Sequence, residues 1–271
     1  MMELLSQMFT YSFMVRALIV GSLVSLCASL LGTSLVLKQY SMIGDGLSHV
    51  GFCALAVAYA FNAAPLAVSI PVCIAAAFIL LQIRESSGIR GDSAVAIMCS
   101  GALAIGVMTV SLTTGMNTDV SNYMFGSILA IGKDDVVISV VLSAAVLVLY
   151  VLFYNRIFAV TFDEVFATAT GTKTHLYNMV LAALTALTIV LGMRMMGALL
   201  ISSLIVFPSL TAMRVTSRFR STIIVSAIIS VSCFFIGMMV SYIASVPTGA
   251  CIVITDMVVF AVFIIIGKIR G

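Results

Sequence analysis

Charge is what this sequence has least of: Asp, Glu, Lys and Arg make up 8% of its 271 residues, where an ordinary soluble domain carries about a quarter. With 62% hydrophobic residues beside them, that scarcity all but excludes a water-soluble fold. Short alternating strands of about ten residues are missing too, which argues against a membrane β-barrel. The six cysteines (27, 53, 73, 99, 233 and 251) lie in apolar stretches and form no CxxC pair, so each reads as a small packing residue rather than a zinc or redox ligand. There is no HExxH, no Gly-x-Ser-x-Gly and no GxxxxGK[ST], so no enzyme signature is present. If ATP drives this protein, another subunit binds it. The net charge of +3 comes from basic residues scattered over separate loops, with no patch suited to nucleic acid.

What is there instead is a succession of apolar runs of roughly 18 to 25 residues, the length of a helix that crosses a bilayer. In hydrocarbon every backbone N–H and C=O must find its partner within the protein, so helices are the expected spanning elements. The expected fold is therefore all-α, a polytopic transmembrane helical bundle forming one domain over residues 1–271. Nine spans are expected, eight being an alternative count: Ser12–Leu37, Leu47–Phe61, Pro65–Ile83, Ser93–Thr113, Val136–Tyr154, Leu176–Gly192, Met196–Met213, Thr222–Ala244 and Gly249–Ile266. The run from Leu18 to Leu37 is too long for the core of a cleaved signal peptide and reads as the first retained helix. The apolar stretch Ser121–Ile131 is too short to cross and is expected as a re-entrant or interfacial helix.

The sparse charges predict the orientation. With nine spans, Lys38, Arg84, Arg90, Arg156, Lys173, Arg214, Arg218, Arg220, Lys268 and Arg270 fall on one side, leaving Arg16, Lys133 and Arg194 on the other. The positive-inside rule then puts the C-terminus in the cytoplasm and the N-terminus outside. The longest polar stretch on the cytoplasmic side, NRIFAVTFDEVFATATGTKT from Asn155 to Thr174, is partly amphipathic. It reads either as a docking surface or as a solvated connection.

Of the ten acidic residues, Asp45 and Asp256 are placed at membrane depth. A carboxylate in hydrocarbon costs several kcal/mol unless it meets a partner, water or an ion. Asp45 lies in MIGDGLSHVGF with His49 four residues on, so a helix would present both on one face. One carboxylate and one imidazole form a partial site of borderline hardness, suited to zinc, manganese or iron(II). An incomplete cage suits a transporter, which must release its ion. The other reading makes Asp45 the cap of a helix starting near Gly46, with His49 hydrogen-bonded in the core. Asp256 either faces a pathway or sits as a neutral or hydrogen-bonded group at a helix interface. His175 reads as a solvated residue, the methionines as apolar filler, and Pro208 as a kink in its span.

At these residues the sequence resembles the metal-importing permeases of ABC transporters, the zinc, manganese and iron uptake family related to the cobalamin and siderophore permeases. The resemblance covers nearly the whole chain. It rests on LLGTSLVLKQYSMIGDGLSHVGFCALA, then YMFGSILAI, FAVTFDEVFATATG, GALLISSLIVFPSLTAMR and VPTGACIVI, in that order. It implies a transport subunit without an enzymatic centre of its own, in the multi-pass plasma membrane setting of a prokaryote. It also implies a second permease copy as homodimer partner, cytoplasmic ABC ATPase subunits, and an extracellular solute-binding protein that delivers the metal. No permanent cofactor is implied; the divalent metal ion is substrate. Asp45 and His49 match positions on the family's translocation path. Phe162, Asp163, Ala167 and Gly171 match the cytoplasmic coupling helix that meets the ATPase. Two departures stand out: Glu164 and Val165 replace the family's usual Pro-Glu after that Asp, and Asp256 stands where apolar residues are common. Alternatives from other classes are an ABC permease for a metal chelate or other small solute, an ion-coupled secondary transporter, and an intramembrane enzyme.

Overall fold

The structure, a computed structural model, describes residues 10–86, 91–113 and 133–270, and these residues form helices without any strand. In chain order they are α1 (Ser12–Leu37), α2 (Ile43–Ala60), α3 (Pro65–Ser86), α4 (Gly91–Leu112), α5 (Lys133–Leu152) and α6 (Tyr154–Phe162). There follow α7 (Glu164–Ala169), α8 (Thr174–Met196), α9 (Ala198–Met213), α10 (Phe219–Ala244) and α11 (Thr248–Arg270). The all-α bundle is as expected. The segment Ser121–Ile131 lies outside the described residues.

The count of nine spans needs correction. Among the described residues seven helices, α1 to α4, α8, α10 and α11, are long and apolar enough to cross, and α5 with α6 makes an eighth if a pair bent by 68° is taken as one span. The expected span Met196–Met213 is the 16-residue α9, about 24 Å of helix against a hydrocarbon core of about 30 Å. Its start explains the shortfall. α8 and α9 form a hairpin that turns at Gly197, whose φ of 90° is open to glycine. Met196 beside that turn packs against Gly21, ten residues into α1 rather than at its end. Irregular backbone at such depth survives only because protein surrounds it. The helix directions still alternate, so α9 returns to the end of the bundle from which α8 set out.

α1 is apolar on all sides, the pattern of a helix buried all round, and it occupies the centre against α5, α6, α8, α9 and α10. Small residues let the neighbours close in, as membrane packing requires in the absence of a hydrophobic drive between helices. Ser230 Oγ donates to the Ser25 carbonyl at 3.0 Å, and Ser209 Oγ reaches the Ser29 carbonyl at 3.4 Å. Gly32 faces the Ile205 carbonyl of α9 so closely that a Cβ there would collide with backbone.

At one end of the bundle the chain makes its most polar structure. α5 bends at Phe153 into α6, which an aromatic cluster fastens to the start of α10: Phe158 and Phe162 lie 5.1 and 5.6 Å from Phe219, ring centre to ring centre. The stretch Asn155–Thr174 is thus built mostly from two short helices rather than an irregular connection. The same end holds Lys38, Arg156, Lys173, Arg214 and Arg218, while Arg16 stands in the second turn of α1 at the other.

Candidate functional site

α2 begins at Ile43, with Met42 as its N-cap residue and no side chain capping it. Asp45 therefore lies within the first turn and is not the cap, and four residues later His49 stands above it on the same face. His49 Nε2 is 3.8 Å from Asp45 Oδ1, too far for a hydrogen bond. The imidazole is 19% exposed and the carboxylate 43%. Neither is sealed in a dry core.

A third group joins them from another helix. The Cys99 sulfur of α4 lies with the Asp45 oxygen and the His49 nitrogen so that all three atoms are within 4.8 Å of one another. Two nitrogen or oxygen donors on one tetrahedral ion stand roughly 3.4 Å apart, so modest side-chain rotation closes the observed gaps. Gly46 permits the approach: a Cβ there would be 2.9 Å from Val95 Cγ1 and 3.8 Å from Cys99 Sγ. Because Cys99 is eight residues into α4, the cluster sits about 12 Å inward from that helix's start. Nothing in the spacing of the cysteines marks Cys99, since only the crossing of α2 and α4 brings it to the pair.

Asp256 is not part of this cluster. It is 1% exposed, beside Cys233 of α10, and neither carboxyl oxygen has a hydrogen bond of good geometry. α9 packs against both α2 and α11. An enclosed carboxyl without a well-formed hydrogen bond carries a desolvation penalty of about 1–3 kcal/mol on the scale of protein mutations. Asp256→Leu is therefore expected to stabilise the protein by a similar amount in thermal unfolding in detergent, with uptake retained. Loss of uptake in this variant would instead place the carboxyl on the route.

The four residues matched to a coupling helix divide by environment. Asp163 is the N-cap of α7, its carboxylate accepting from the Phe166 N–H at 2.8 Å. Ala167 is buried and seats the helix, and Gly171 takes φ 82° in the turn that follows. Phe162 is exposed at the end of α6. The largest outward surface of this segment belongs to Val165, at 82% exposure, and to Phe166, at 65%, neither of which was among the four residues matched to the coupling helix. Glu164, itself 46% exposed, reaches back to the bundle. Its carboxylate is 3.5 Å from Lys38 Nζ, which is 7% exposed, and accepts from Asn178 Nδ2 at 2.6 Å; Lys38 also donates to Asn178 Oδ1. One polar triad thus ties α7 to the end of α1 and the start of α8. Of the residues given no role, Met193 is fully buried and packs its methyl against Gly51.

Comparison with known proteins gives a consistent result. The family model described as the ABC 3 transport family matches residues 10–267. A probable iron transport system membrane protein of Haemophilus influenzae is 32% identical over 97% of this chain and 93% of its own length. The manganese import system permease protein ScaB of Streptococcus gordonii is 27% identical over 96% and 93%. Among solved structures, PsaBC from Streptococcus pneumoniae in complex with Fab superposes with a TM-score of 0.86 at 28% identity, covering 96% of this chain and 94% of that one.

Proposed function

The chain belongs to the ABC 3 transport family, and from that premise we propose that it is the membrane-spanning subunit of an ATP-driven importer for a divalent transition-metal ion. The observation that carries this reading is the Asp45–His49 pair: a carboxylate and an imidazole 3.8 Å apart on one face of α2, in a chain with 8% charged residues. The named cargo of similar proteins, iron in one and manganese in another, fits a mixed oxygen and nitrogen site of borderline hardness.

The pair acts by substitution. A bare or partly hydrated cation entering a low-dielectric bundle loses hydration worth many kcal/mol, and oxygen and nitrogen donors replace part of it. Few ligands keep the ion mobile. The driving force is supplied elsewhere: ATP is bound and hydrolysed by a separate subunit, which we place against α6 and α7. The outward Val165 and Phe166 give that subunit an apolar contact, and the triad of Lys38, Glu164 and Asn178 links the contact to α1 and α8. Phe162, Asp163, Ala167 and Gly171 shape the docking element. A second copy of the chain completes the pathway as a homodimer, and a solute-binding protein delivers the ion at the opposite end.

In this arrangement the α7 end faces the cytoplasm, with the C-terminus inside and the N-terminus outside, in the plasma membrane of a prokaryote. The gathering of Lys38, Arg156, Lys173, Arg214 and Arg218 at that end supports this orientation. The test is reconstitution with and without the ATPase partner. We expect co-purification with an ATPase and uptake that depends on ATP hydrolysis. Metal movement by the chain alone, with no ATPase bound, would overturn the proposal in favour of an ion-coupled carrier.

A further inference from the structure

We infer that Cys99 is a third ligand on the metal route and tilts its selectivity toward thiophilic ions such as zinc over manganese. The inference rests on the reading of Asp45 and His49 as pathway residues and asks what α4 adds to them. The sulfur, the carboxylate oxygen and the imidazole nitrogen lie mutually within 4.8 Å. The absence of a side chain at Gly46 is what allows α4 so close, since a Cβ would press on Val95.

The other cysteines set Cys99 apart. Cys27 and Cys73 are buried with their sulfurs directed at the backbone carbonyls of Ser143 and Leu47, and Cys233 and Cys251 are buried as well. Cys53 and Cys99 are both partly buried, so what singles out Cys99 is that its sulfur lies within 4.8 Å of a carboxylate oxygen and an imidazole nitrogen. Partial access is what a ligand meeting a passing ion needs.

Ligand chemistry then sets the preference. Manganese favours oxygen and tolerates imidazole, whereas thiolate favours zinc and other softer ions. On binding, the Cys99 S–H bond breaks, its proton leaves to water and a sulfur–metal bond forms, with no change in oxidation state. Carboxylate, imidazole and thiolate occupy three positions of a tetrahedral ion and leave the fourth to water. The open position provides for exchange onward along the route.

Cobalt(II) is the probe, because a thiolate ligand gives it an intense charge-transfer band in the near ultraviolet that nitrogen and oxygen ligands do not produce. The complete transporter with its ATPase, in detergent, is expected to show that band, and Cys99→Ser is expected to lose it. In proteoliposomes the ratio of apparent affinities, zinc to manganese, is expected to fall about tenfold or more in Cys99→Ser. Cys99→Ala serves as a second variant, with size-exclusion behaviour showing that the complex is intact. An unchanged ratio in both variants and no thiolate band in the parent complex would overturn the role of Cys99. If Asp45→Ala abolishes uptake in that same experiment, the pathway stands without the thiol. If Asp45→Ala transports normally, the pathway and the thiol fall together.

Discussion

Asp45→Ala and His49→Ala are each expected to abolish metal uptake by the assembled transporter while leaving its assembly intact. The effect on transport is large because the site has few donors: removing one takes away much of what replaces the ion's hydration inside the bundle. Loss of groups that only orient metal ligands already costs 10- to 100-fold in affinity, so loss of a direct donor lowers uptake by at least that much. The effect on folding is small because neither side chain supports the core. Asp45 is 43% exposed, caps nothing, and stands 3.8 Å from His49 without a hydrogen bond between them. Uptake of a radiolabelled ion, measured beside size-exclusion profiles of the variant complexes, checks both halves of the statement. Normal transport in both variants would remove the site from the route.

Phe166→Asp is expected to detach the ATPase from the proposed docking surface, and Val165→Asp to do the same. Both residues point outward from α7, and α7 itself is held firmly. Asp163 caps it, Ala167 is buried beneath it, and Glu164 anchors it to Lys38 and Asn178. A rigid helix presenting two apolar side chains is the arrangement that concentrates binding energy in a few contacts, where truncation costs about 2 kcal/mol or more. A buried carboxylate is worse than a truncation, because it must also be desolvated. The ATPase is therefore expected to bind these variants at least about thirtyfold more weakly, the equivalent of 2 kcal/mol, and metal-stimulated hydrolysis is expected to vanish. Pull-down of the ATPase by tagged permease variants measures this directly, and full retention in both would place the docking surface elsewhere.

The two residues that follow Asp163 take different roles in the same element. Glu164 is the residue that reaches Lys38 and Asn178, while Val165 takes the outward position. Glu164 thus reaches back to the bundle while Val165 presents apolar surface, and under the proposed docking this favours an ATPase with a matching apolar pocket.

The helices were legible in the residue order because each apolar run is bounded by charge or turn residues, and in hydrocarbon no other local structure pairs the backbone. The pairing of Asp45 with His49 was legible for a related reason, since helical periodicity alone places residues four apart on one face. The shortness of α9 was not. Its apolar run continues through Gly197 into α8, and hydropathy does not distinguish a helix that reaches lipid from one that starts beside Gly21 in the shelter of α1.

What residue order determined by itself is thus the solvent, the helices, the basic end of the bundle and the two-residue face of α2, all consequences of composition and of periods shorter than one helix. What tertiary structure alone decided are the meetings between helices: Cys99 of α4 with the α2 pair, Lys38 of α1 with Glu164 of α7, and Asp256 enclosed against α10 rather than brought to Asp45. The reason is that a contact between helices depends on their crossing and register. Close packing at glycines such as Gly46 and Gly32 sets both, and no local period in the chain encodes them.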